Sequence, residues 1–110
     1  PGDKEPTIRL DSSRLKAQFE ESSTRFGLTE EQRKKIYWEL FEIEDKARRE
    51  AERKVPNPKT LEDFKRRANE FNKLHTRYLM QLLRKYKITD EQRVRIFVEG
   101  TQKNWPEPSP

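Results

Sequence analysis

The tetrapeptide Val55-Pro56-Asn57-Pro58 interrupts two long helical patterns, and no continuous helix can run through it. Proline lacks an amide donor and disfavours helical geometry in the residue before it. On the N-terminal side, from Glu30 to about Lys54, Ile36, Leu40, Ile43, Ala47 and Ala51 fall on one helical stripe, widened at its start by Tyr37 and Phe41. Trp38 lies roughly opposite that stripe. It must meet a further helix, a second subunit or a ligand, or stay partly exposed. On the C-terminal side Thr60 can cap another helix, in which Leu61, Phe64, Ala68, Phe71, His75, Tyr78 and Leu82 keep the three-four alternation of a helix-pair seam.

A connection this short makes the two long helices antiparallel neighbours. Pairing outward from the turn places Ala68 near Ala47, Phe71 near Glu44 and Tyr78 near Tyr37. With small alanines close to the turn, the helical hairpin should be thin and basic at its tip and bulky at its base.

One phrase occurs twice. Leu28-Thr29-Glu30-Glu31-Gln32 returns sixty residues later as Ile88-Thr89-Asp90-Glu91-Gln92, and Arg33, Ile36 and Glu39 return as Arg93, Ile96 and Glu99. Each copy reads as a helix start. The threonine accepts from the N3 backbone N–H, the N3 glutamine reaches back to the cap N–H, and the acids between them suit the positive end of the helix dipole. Leu28 and Ile88 occupy the position of a hydrophobic staple, but the usual partner positions hold Arg33 and Arg93, so another element must supply their apolar contacts. One copy begins the first long arm and the other follows the second arm, which places both caps at the base of the hairpin.

The remaining chain fits around this core. Residues 1–10 read as an irregular arm, and Asp11 or Ser12 can cap a short first helix carrying Leu15, Phe19 and Phe26, stopped by a left-handed Gly27. The second motif opens a fourth helix bearing Val94, Phe97 and Val98 and weakened by Gly100, and residues 104–110 form a proline-rich tail. The expected fold is therefore all-α: four helices in a single domain over residues 11–103, with the second and third forming a long antiparallel hairpin.

The amount of core is small. Only 30% of residues are hydrophobic and 41% are charged, yet helically spaced aromatics oppose disorder. A thin core with strong periodicity suggests elongated helices or burial completed by a partner, and with the surplus Trp38 it points to a homodimer. The formal charge is +5, and between Lys46 and Arg67 nine Lys/Arg face four acids, so the whole excess falls in that stretch. Arg48, Arg49, Arg53, Lys65, Arg66 and Arg67 are candidate contacts for an acidic or partly unfolded partner, with Trp38 as a candidate apolar contact.

Catalytic chemistry finds no support in the sequence. There is no glycine-rich phosphate loop and no nucleophile signature, and the chain contains no cysteine. The one histidine, His75, falls within the apolar seam, where a neighbour such as Glu44 could satisfy it. A helical zinc site needs two histidines on one face, so neither metal nor cofactor is expected. Nucleic-acid binding is a weaker reading of the basic stretch, because acids are interleaved in it and no stacking platform is present beyond Phe64. No run approaches the length of a membrane span.

The paired motifs resemble the two LTxxQ boxes of the Spy/CpxP family of periplasmic stress proteins, and the resemblance extends over roughly Ser12 to Lys103. It carries over Leu28, Thr29 and Gln32 together with Ile88, Thr89 and Gln92 as structural motif residues; the second box opens with isoleucine in place of leucine. The resemblance implies a protein of the periplasm, with an export signal upstream of Pro1, built of four helices with a long bent hairpin and paired as a cradle-shaped dimer. It further implies ATP-independent, chaperone-like binding of unfolded or misfolded proteins during envelope stress, or alternatively regulation of one specific partner such as an envelope-stress sensor. Metal sensing is not carried over, since His75 stands alone.

Overall fold

A computed structural model describes residues 24–108. Among these, two short strands, β1 (Thr24–Arg25) and β2 (Leu28–Thr29), precede three helices: α1 (Glu30–Lys54), α2 (Leu61–Tyr86) and α3 (Asp90–Gln102). The chain is mainly helical, and α1 and α2 pack antiparallel, with Lys54 meeting Glu70 near one end and Glu39 meeting Lys85 near the other. The expected arm and most of the expected first helix, including Leu15 and Phe19, lie outside the described residues.

Three helices rather than four occur among the described residues, and the end of the expected first helix is replaced by a strand hairpin. Thr24 pairs with Thr29 and Arg25 with Leu28. The turn between them has positive φ at both Phe26 (58°) and Gly27 (74°), the pattern whose twist suits a two-residue hairpin. Gly27 does adopt the left-handed region, but it reverses a strand pair instead of ending a helix. The reason lies in Thr29, because an N-cap residue needs extended backbone and here that extension continues into a paired strand.

Both repeated phrases form reciprocal caps. The Thr29 N–H donates to Gln32 Oε1 at 2.8 Å and the Gln32 N–H to Thr29 Oγ1 at 3.2 Å. The Thr89 N–H donates to Gln92 Oε1 at 2.9 Å and the Gln92 N–H to Thr89 Oγ1 at 3.1 Å. The arginines that follow differ. Arg33 is buried and donates through Nη1 to the Leu28 carbonyl at 2.8 Å, whereas the Nε of Arg93 donates to Asp90 on the surface. The isoleucines of the repeat converge again, since Ile36 and Ile96 are both wholly buried.

Along α1 the expected stripe is inside: Ile36, Tyr37, Leu40, Ala47 and Ala51 are buried, with Ile43 and Phe41 half-buried. The expected register of α2 is not observed. The Tyr78 hydroxyl donates to Glu50, well removed from Tyr37, and Lys46 sits over the Tyr78 ring. Phe71 lines a hollow with Arg48 and Ala51 rather than lying at Glu44. His75 stacks on Phe71 with centroids 5.4 Å apart and shows no bond to Glu44.

The connector accounts for the shift. Val55 prolongs α1 by donating to the Ala51 carbonyl at 3.0 Å, and its side chain is buried. Its own carbonyl accepts from Nε of Arg67 at 3.1 Å, so α1 ends against the second turn of α2 and not against its start. About two turns of α2, roughly 10 Å of helix, therefore project past the end of α1. Thr60 holds that start with its own capping box to Asp63.

At the other end α2 closes through a left-handed Lys87 (φ 55°), with the Ile88 N–H bonded to the Leu83 carbonyl at 3.1 Å. This places buried Ile88 directly before the Thr89 cap of α3. Gly100 marks where α3 meets α1: a methyl group on it would lie 2.3 Å from Tyr37 Cδ1. Glycine permits this close approach, a role that outweighs its low helix propensity. After α3, Asn104 is left-handed and the Trp105 N–H bonds the Gly100 carbonyl at 2.9 Å, a Schellman closure. Trp105 is only 6% exposed and packs edge-on to Tyr37 at 5.9 Å. Trp105, at the start of the proline-rich tail, thus packs into the helical core.

Candidate partner-binding surface

The projecting turns of α2 carry the most exposed apolar residues of the described chain. Leu61 is 69% exposed and Phe64 53%, and Ala68 is also on the surface. These three belong to the seam expected to pack on α1. The buried positions of α2 are instead Leu74 and Leu82. Apolar side chains of this size usually face a neighbour, and here the shifted register removes α1 from beneath them.

Where α1 does reach them, a hollow of about 380 Å³ opens between the helices. Ala51, Phe64, Ala68 and Phe71 form its apolar wall, and Arg48, Glu52 and Arg67 stand around it. The tip is accordingly apolar as well as basic.

The structure distributes the candidate basic residues among several tasks. Arg48 and Arg49 both pair with Asp45, the latter at 2.6 Å. Arg53 lies 3.9 Å from Glu50, Lys54 3.2 Å from Glu70, and Arg66 3.2 Å from Asp63. Arg67 is committed to the Val55 carbonyl. Lys65 is exposed and has no ion-pair partner among the described residues. Asp45 and Glu70 lie just outside the stretch counted from sequence; over residues 45–70 nine Lys/Arg meet six acids, a net of +3. The surface remains positive but is laced with exposed pairs, each individually weak.

Two carboxylates register this environment. The Asp63 carboxyl is held below its ordinary range chiefly by the Lys59 backbone N–H, and that of Glu70 chiefly by its hydrogen bond from Lys54. Both stay ionised at neutral pH and hold the tip's cations in place.

Arg48 and Arg67 are brought to one hollow, and Lys65 and Arg66 share the projecting helix end with Phe64. Arg49 and Arg53 line a different hollow with Ile43 and Glu42. Trp38, 42% exposed, stands ten residues before Arg48 on α1, about 15 Å along the axis, and does not join the tip. The repeat residues Leu28, Thr29, Gln32, Ile88, Thr89 and Gln92 serve the helix starts described above. Sequence reasoning missed Leu61, Phe64 and Ala68 as surface groups because they share the seam's periodicity. No sequence signal marks the difference, because the Arg67 bond to the Val55 carbonyl that sets the register is visible only in the structure. Among the described residues no cluster of three His, Asp or Glu is placed to hold a metal ion, and no helix is long and apolar enough to cross a membrane.

Comparisons of the chain with protein-family models, with curated proteins and with solved structures give no match.

Proposed function

We propose that this chain is an ATP-independent, chaperone-like binding protein that holds unfolded or misfolded chains through the projecting end of α2. One observation carries the reading: Leu61 and Phe64 are exposed on a capped helix end, beside cations and above an apolar hollow. An unfolded segment exposes both apolar side chains and charges. Charge on Lys65, Arg66 and Arg48 accelerates encounter with acidic stretches, and contact with Phe64 and Leu61 sets the residence time. No nucleotide is needed for binding of this kind, since release follows from weak affinity.

The paired Thr-x-x-Gln boxes resemble those of the Spy/CpxP family, and this likeness supports a periplasmic setting in the envelope stress response. Exposed Trp38, Val94 and Val98 offer further apolar area for a homodimer. A second reading, regulation of one specific partner such as a stress sensor, is favoured by the discrete hollow between Ala51 and Phe71, which suits one inserted side chain more than a diffuse client.

The deciding experiment is suppression of aggregation of an unrelated, chemically unfolded protein at increasing salt. General suppression that weakens with salt supports the chaperone reading. No suppression, with retrieval of a single protein in a pull-down, supports the specific-partner reading instead.

A further inference from the structure

Three lysines of this chain share one arrangement. Lys46 Nζ lies 4.4 Å from the centroid of the Tyr78 ring, whose hydroxyl donates to Glu50. Lys85 Nζ lies 5.1 Å from the Tyr86 ring, and Glu39 accepts from both residues. Lys103 Nζ lies 5.6 Å from the Trp105 ring and donates to Glu99 at 2.8 Å. In each case an ammonium group meets the negative face of an aromatic ring with a carboxylate alongside.

A fourth place has rings and a carboxylate with no cation in its own wall, although it shares Trp105 with Lys103. Between α1, α3 and the segment after α3 lies an open hollow of about 570 Å³, walled by Tyr37, Phe41, Phe97 and Trp105, with Glu107 among its lining residues. Its size falls within the ~300–1,000 Å³ of small-ligand sites. The rings hold one another in place: Tyr37 lies 5.1 Å from Phe41 and 5.6 Å from Phe97, and Phe41 lies 5.9 Å from Phe97. Among the described residues no Lys or Arg lines this hollow, and Glu107 has no ion pair. An anion would face ring quadrupoles and a carboxylate of its own sign. A cation inside it would meet rings and Glu107, while the nearest protein cations stand outside its wall, Lys103 beside the Trp105 ring and Arg48 and Arg49 in the adjoining hollow that shares Phe41 and Glu107.

We propose that this aromatic hollow binds an alkylammonium ion, its charged head against the ring faces and Glu107 and its alkyl part on the remaining aromatic surface. The site lies apart from the projecting end of α2 and does not depend on the function proposed there. A small quaternary ammonium compound and a lysine side chain share the required chemistry.

The test uses the full chain carrying Trp38→Phe, so that Trp105 is the only tryptophan. Its fluorescence is titrated with choline, with n-butylammonium and with the uncharged tert-butyl analogue of choline. A saturable change is expected for an ammonium ion at a concentration about threefold or more below that needed for the neutral analogue. Glu107→Gln should weaken ammonium binding by a similar factor while leaving the circular dichroism spectrum unchanged. Tighter binding of choline assigns a quaternary ammonium ligand, and tighter binding of n-butylammonium assigns a lysine-type one. Equal binding of the neutral analogue, absence of saturation with both ammonium ions, or an unaltered affinity in Glu107→Gln overturns the proposal.

Discussion

Where α3 packs on the helical hairpin, Ile36 and Ile96 are wholly buried, Gly100 lets the Tyr37 ring approach the α3 backbone, and Trp105 closes the cluster. At the other end the same kinds of residue, Leu61 and Phe64, face outward on turns that have outrun their partner helix. The base buries the centre of its apolar cluster and leaves Trp38, Val94, Phe97 and Val98 exposed at its margin, while the tip leaves Leu61 and Phe64 more exposed still, for something else to cover. Stability and binding should therefore separate along the hairpin, and substitutions at each end can break or sharpen that contrast.

The largest effect is expected for Ile96→Ala. The side chain is fully buried, and deleting its methyl and methylene groups should cost about 2–5 kcal/mol of unfolding free energy, read from urea denaturation. Gly100→Ala comes next, since the added methyl meets the Tyr37 ring and not a flexible chain end. A loss of about 1–3 kcal/mol is expected, with a thermal transition lowered to match. A near-neutral result for either would mean that the base is as loosely packed as the tip.

The caps supply a finer comparison. Thr89→Ala and Thr60→Ala each remove one side-chain acceptor worth about 1 kcal/mol. At Thr89 the loss should appear in global unfolding, because α3 is part of the packed base. At Thr60 it should appear mainly as faster amide hydrogen exchange in the projecting turns, which can open locally.

Alkali should act on the base. Burial, reinforced by the hydrogen bond to Glu39, pushes the Tyr86 phenol far above its ordinary value of 10.0. In Tyr78 the shift is also upward and comes first from its bond to Glu50. A phenol raised in the folded state contributes stability that is complete below pH 10 and is lost as pH climbs beyond it. Phenolate absorbance should therefore show both tyrosines titrating later than the free side chain, with Tyr86 the later of the two and unfolding accompanying its ionisation.

Much of the base was legible in the sequence. The stripe from Ile36 to Ala51 declares its burial by periodicity, and the two Thr-x-x-Gln phrases state their capping chemistry in adjacent residues. Long-range geometry was not legible in the same way. A seam written as Leu61, Phe64, Ala68 and Phe71 looks identical whether or not a partner helix reaches it, and the Arg67 bond to the Val55 carbonyl that decides the matter joins residues whose spacing carries no recognised motif. Trp105 was obscured by the prolines around it, because composition marks a tail while the left-handed Asn104 turns the tryptophan back toward Tyr37. Phe26 failed for a local reason: a bulky residue at positive φ is uncommon, so a helix end was the natural expectation.

The smallest effect on stability, and the most informative about function, should come from Phe64→Ser. More than half of the side chain is already in water, so its removal should change the unfolding free energy by about 0.5 kcal/mol or less. Binding should respond quite differently. Phe64 is the one aromatic that is both exposed on the projecting turns and part of the hollow shared with Ala51 and Phe71. If the tip holds client segments, the variant should retain its melting curve and lose most of its suppression of aggregation. The same curve with undiminished suppression would move binding away from the tip, and a lowered melting curve would show that α2 is packed there after all.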